Sequence, residues 1–277
     1  MNANVHIMGI VNLTQDSFYA GSRTATADVV SRAQQMWADG ATVVDLGACS
    51  TRPGAPQPSL EEEWSRLEPA LQEMAGQAGH DDTRPDNVRH TRPDRVSLSI
   101  DTYRSEIVRR AYEIIGPFMV NDISAGQLDS QMLSTVGRLG LPYVAMHMRG
   151  NPENMQQFTQ YTDIVEDIKA YFRDFSLKAA DAGIGEWLLD PGFGFSKTLE
   201  QNWELLRRME ELQELHRPIL VGVSRKSMIY KALGITPEEA MPATQVVQYA
   251  ALERGAQWLR VHDVAEAAQT VQLYSRM

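Results

Sequence analysis

Eight short apolar runs, rich in β-branched and aromatic residues and spaced by longer segments of helical periodicity, restrict this chain to very few folds. The runs are Val5 to Val11, Thr42 to Leu46, Val96 to Ile100, Phe118 to Val120, Tyr143 to Met146, Trp187 to Leu189, Ile219 to Val223 and Trp258 to Val261. Between them the spacing predicts helices, for example over Ala27 to Ala38, Arg104 to Ile115, Ile164 to Ala182 and Thr244 to Arg254. Strands alternating with helices mean parallel strands joined by crossover helices, and eight such units favour a closed (β/α)8 barrel over an open sheet. The length of 277 residues suits one such domain, since a barrel of this kind takes about 250 residues.

Most runs end in polar or glycine-containing segments: NLTQDSF, DLGACSTRPG, DTYRS, NDISAG, MHMRGN, DPGFGFSK, GVSRKS and RVHDV. In a barrel these strand ends share one face, where an active site is expected. The stretch from Gly76 to Arg95 has almost no apolar periodicity and repeats the tripeptide TRP. It reads as a solvated surface insertion before the third strand of a single domain spanning residues 1–277.

A formal net charge of -10 argues against non-specific nucleic-acid binding, which needs clustered Lys and Arg. The single cysteine, Cys49, excludes an intramolecular disulfide framework. The start, MNANVHIMGIVN, lacks the basic and apolar regions of a signal peptide, and no apolar run approaches a membrane span. The expectation is a cytoplasmic enzyme with small-molecule substrates and neither a nucleic-acid nor a membrane partner.

Taken in order, MGIVNLTQDSF, DLGACSTRPGA, SIDTYR, VNDISAG, MHMRGNP, LDPGFGFSKT, VGVSRKSMI and LRVHDV resemble the successive signature segments of the dihydropteroate synthase family, over nearly the whole chain. The resemblance implies a transferase of folate biosynthesis and a target of sulfonamides. It would join 6-hydroxymethyl-7,8-dihydropterin diphosphate to 4-aminobenzoate, giving 7,8-dihydropteroate and pyrophosphate. It also implies a Mg2+ cofactor and a homodimer.

A pterin offers a flat face and an edge of alternating donors and acceptors, which calls for buried carboxylates and amides. Asp101, Asn121 and Asp190 end three separate runs. A lone Asp there often only caps the next helix, but three on separate strands of one barrel favour a ligand. By resemblance these three bind the pterin edge, and Lys226 lies over the ring close to the incoming amine. Asp101, Asp190 and Lys226 form the catalytic set, while Met146 and Phe195 line the pterin pocket. Residues two apart on a strand share a side, so Arg260 and His262 can face the mouth together, where resemblance gives them a phosphate group to hold. Resemblance also gives Asn12 to Mg2+ and the diphosphate, Thr51 to the diphosphate, and Ser50, Thr51, Ser227 and Lys226 to 4-aminobenzoate.

Two positions depart from the family pattern: Gln15 stands where Pro is common, and Cys49 where Glu is common. Cys49 reads as a packing residue rather than an oxidisable thiol. Two rivals stay open. A pterin-binding methyltransferase module would share the pterin-edge residues, though the SRKS and STRPG segments speak against it. A catalytically silent subunit would have no need for both the metal and the diphosphate groups.

Overall fold

The computed structural model describes residues 5–13, 23–49, 57–78 and 97–277. Eight parallel strands close into a barrel in chain order, with β1 pairing both β2 and β8. They are β1 (His6–Asn12), β2 (Val43–Gly47), β3 (Leu98–Asp101), β4 (Met119–Asp122), β5 (Tyr143–Met146), β6 (Trp187–Asp190), β7 (Ile219–Val221) and β8 (Ala256–Val261). Around them lie α1 (Arg23–Ala38), α2 (Leu60–Ala78), α3 (Ser105–Ile115), α4 (Met132–Leu139), α5 (Ile164–Asp181), α6 (Leu199–Arg207), α7 (Ser227–Leu233), α8 (Met241–Glu253) and α9 (Val264–Tyr274).

All eight expected strands are present, shifted by a residue or two. Asn12, Asp101, Asn121 and Asp190, placed at the run ends, are the last or next-to-last residues of β1, β3, β4 and β6. Strand β7 ends two residues earlier than its apolar run and pairs with β6 through Leu189 and Ile219. The expected loop from Gly76 to Arg95 is corrected at its start, because α2 carries helical backbone through Ala78. The remainder of that stretch lies outside the described residues.

The alternation of side chains along each strand sorts the interior into two compartments. One set, including Val44, Leu46, Ile100, Val120, Tyr143, Leu189, Val221 and Leu259, packs outward against the helices in the main core. The other set, Met8, Val43, Met119, Val144, Leu188, Leu220 and Trp258, forms its own buried cluster and fills the barrel lumen. Two residues further along, on the same side, come Ile10, Asp45, Asn121, Met146, Asp190, Gly222 and Arg260. The period of two thus places a mostly polar layer directly above an apolar floor, at the C-terminal mouth.

Candidate active site

The mouth divides into two halves. On the β2–β3–β8 side, Asp45 is fully buried and its Oδ2 accepts from Asn121 Nδ2 at 3.0 Å and from Arg260 Nε at 2.7 Å. Arg260 Nη2 reaches Asp101 Oδ2 at 2.7 Å. One guanidinium therefore spans two carboxylates, and Asp45 Oδ1 is buried without a hydrogen-bond partner in the described structure. Burial pushes the Asp101 carboxyl above its usual range, Arg260 pulls it back down, and the neighbouring Asp45 adds to the rise.

On the β5–β6–β7 side, Asp190 ends β6 and its Oδ1 accepts from the Gly192 amide at 2.8 Å. Burial raises its carboxyl, while the nearby Lys226 ammonium opposes the rise. Lys226 lies 4.8 Å from the Phe195 ring centroid and donates to the Phe193 carbonyl. Desolvation pushes its ammonium down to about 8. Met146 belongs to a small apolar cluster with Ile123, Met148 and Met155, against which Phe195 and Tyr103 pack. That cluster gives a flat ring an apolar surface beside the polar edge.

The segment after β7 alternates in direction. Ser224 Oγ meets His262 Nδ1 at 3.0 Å. Arg225 adopts a positive φ of 53° and pairs with Asp263 through two bonds, at 2.8 and 2.7 Å. Lys226 then joins the half of the mouth that holds Asp190. Burial and the Arg260 charge push the His262 imidazole down to about 4, so it is neutral at neutral pH and offers a hydrogen bond rather than a charge.

The structure therefore brings Asp101, Asn121 and Arg260 together on one side, and Asp190, Lys226, Phe195 and Met146 on the other. Arg260 and His262 follow each other two residues apart, as expected, but Arg260 is engaged by carboxylates rather than standing free. Asn12 is exposed at the end of β1, in register with Gly47. Ser227 is half-buried and begins α7. Ser50, Thr51 and Gln15 lie outside the described residues. Cys49 is buried, with its sulfur 3.6 Å from Arg104 Nη1. Burial and the neighbouring Glu63 raise its thiol well above the usual range, which fits the packing role.

Two residues escaped the sequence reading. Asp45 sits inside the apolar run of β2, and its signal is parity: it is two residues after Val43, which points into the lumen. Lys197, in the FSK segment, is buried behind the loop that follows β6.

Fold and mouth together define the class: residues 8–262 match the family model described as pterin binding enzyme, and the chain belongs to that family. Its relatives include dihydropteroate synthases. That of Escherichia coli (strain K12) is 36% identical over 271 residues, covering 97% of this chain and 90% of the relative. The solved dihydropteroate synthase of Yersinia pestis, in complex with a sulfonamide drug, superimposes with a TM-score of 0.86 at 35% identity, covering 100% of this chain and 95% of that one. The Thermus thermophilus enzyme, in complex with 4-aminobenzoate, gives 0.83 at 33% identity, covering 100% and 96%.

Proposed function

We infer that this chain is a dihydropteroate synthase that condenses dihydropterin methyl diphosphate with 4-aminobenzoate. The observation that carries the reading is the layer above the lumen floor, where Asp101, Asn121 and Asp190 are buried beside Lys226 and a flat apolar wall. Buried carboxylates and an amide suit the donor-rich edge of a pterin, and the ammonium suits its ring carbonyl and ring nitrogen. The amine nitrogen of 4-aminobenzoate attacks the pterin methylene carbon, the carbon–oxygen bond to the diphosphate breaks, and the amine loses a proton. Cationic character at the methylene and pterin is favoured by Asp101 and Asp190, whose negative charge matters more as the bond loosens.

Arg260 has two tasks in this reading. It balances Asp45 and Asp101, and it presents positive charge to the departing diphosphate together with the neutral imidazole of His262. For Mg2+ the family resemblance points to the amide oxygen of Asn12, exposed at the end of β1; one protein ligand suits Mg2+, which keeps waters and substrate oxygens around it. When bound, the ion would neutralise charge on the leaving diphosphate. Ser50, Thr51 and Ser227 are assigned to the amine and diphosphate loops by family resemblance, and sulfonamide binding rests on the same resemblance.

A homodimer rests on the family resemblance alone. The described helices include none long and apolar enough to cross a membrane. A cytoplasmic location accords with the single buried cysteine. The test combines purified protein, Mg2+, dihydropterin methyl diphosphate and 4-aminobenzoate. Pyrophosphate and dihydropteroate should form in equal amounts; pterin binding without product would replace this reading with the silent-subunit one.

A further inference from the structure

Lys197 is 3% exposed, and no step of the proposed reaction uses it. Its Nζ meets the Gly192 carbonyl at 2.9 Å, the Phe195 carbonyl at 3.0 Å and His147 Nδ1 at 3.1 Å. The three contacts suit an ammonium donating to all three when His147 carries its proton on Nε2, while burial pulls that ammonium well below its usual range and Asp190 opposes the fall. His147 is the neutral partner this needs. Burial, with Lys197 and Arg149 nearby, holds its imidazole well below the usual range, so the ring is neutral and its Nε2–H form accepts at Nδ1.

The backbone is shaped to present those acceptors. Gly192 has a φ of 71°, and a Cβ there would lie 2.0 Å from the His147 carbonyl oxygen, so only glycine allows the loops after β5 and β6 to approach so closely. Ser196, at a φ of 47°, accepts from the Arg149 amide through Oγ at 3.0 Å, and its carbonyl accepts from Tyr161 at 3.0 Å. Gly192 joins the two ends of the device: its amide donates to Asp190, and its carbonyl accepts from Lys197. Phe195, whose carbonyl also holds Lys197, carries the ring beside Lys226.

We propose that Lys197 is a positioning residue of the pterin site: its buried side chain locks the loop after β6 onto the loop after β5, fixing Asp190 and Phe195, and as an ammonium places positive charge behind Asp190. The charged and titratable groups facing it are Asp190, Lys226, Arg149 and His147. Those acting on Asp190 are Lys226, Arg260 and Lys197 itself. Lys197 lowers the Asp190 carboxyl, against the effect of burial, so removing its charge lets that carboxyl take up a proton at higher pH.

This inference rests on the proposed pterin site, and the test separates the two. Lys197→Met keeps length and removes charge. Its KM for dihydropterin methyl diphosphate should rise roughly ten- to a hundredfold, as expected for a displaced binding group, with the KM for 4-aminobenzoate little changed. The acid limb of kcat/KM for the pterin substrate should move to higher pH. Lys197→Arg keeps the charge but not the three-acceptor fit, so the pterin KM should rise while the acid limb stays as in the unmodified protein. Equal losses toward both substrates with an unmoved acid limb would overturn the proposal. If Lys197→Met does not fold, Lys197→Arg decides alone: a raised pterin KM supports the proposal, and an unchanged one overturns it. If the unmodified protein makes no dihydropteroate, the synthase reading fails by itself. Pterin affinity measured by fluorescence between pH 5 and 8 (a range of about three units set by ordinary carboxylate and imidazole titration) then still reports on Lys197.

Discussion

The two halves of the mouth solve the problem of buried charge in opposite ways. On the β2–β3–β8 side two carboxylates, Asp45 and Asp101, share one guanidinium in direct contact. On the β5–β6–β7 side one carboxylate, Asp190, lies near two lysines, Lys226 and Lys197, each of which is hydrogen-bonded to backbone carbonyls instead. The first half has an excess of negative groups and holds them in a rigid pair network. The second has an excess of basic groups, held by loop backbone and by His147. A substrate with a donor-rich ring edge and an anionic leaving group needs both signs a few ångströms apart, and the contrast shows how one small barrel supplies them without letting them collapse into simple pairs.

The contrast is broken most severely at Asp45. Asp45→Ala leaves Arg260 short of one carboxylate and Asn121 without its acceptor, and should cost about 3–5 kcal/mol of stability by denaturant unfolding. A loss below about 1 kcal/mol, the range of surface pairs, would show that the network is not a scaffold. On the other half, Lys226→Ala or Asp190→Ala should lower turnover by about a hundredfold or more, with the circular dichroism of the barrel retained. Unchanged turnover in either would remove these residues from the site.

A finer division comes from pH. The Lys226 ammonium, pushed down to about 8 by burial, is present below that pH and lost above it. The rate should therefore fall as pH rises through about 8, and Lys226→Arg should remove that limb because a guanidinium does not titrate there. His262 should titrate at about 4 in NMR of the free protein and move upward when pyrophosphate binds, since an adjacent anion favours the imidazolium. The smallest effect belongs to Cys49. Its thiol should react far more slowly with a thiol reagent in the folded protein than in the urea-unfolded chain, and Cys49→Ser should leave the pH profile unmoved.

The barrel was legible because short apolar runs and helical segments alternate eight times, and strand ends then told where the mouth lies. Asp101, Asn121 and Asp190 were legible because a polar residue closing an apolar run is conspicuous. Arg260 was found, but not what holds it: Asp45 lies 215 positions away in sequence, and only barrel closure between β1 and β8 brings the two together. Lys197 was missed because a lysine in a glycine-rich loop reads as solvated; its burial follows from two loops meeting at Gly192 and His147, a contact with no local pattern. The extended Ile219 to Val223 run misled the end of β7, since apolar character persists past Val221 into the buried Val223. Chemical identity of the substrates came from family resemblance, not from periodicity.

The apolar plug of Met8, Val43, Met119, Val144, Leu188, Leu220 and Trp258 has a kinetic consequence. It turns the barrel from a tunnel into a well with a single opening, and a well fills from the bottom. On the proposed reading, a pterin seated on the plug would arrive before whatever sits nearer the rim and leave after it. Traffic through such a well would be last in, first out, and a product spanning both depths would block the next round until it is withdrawn whole.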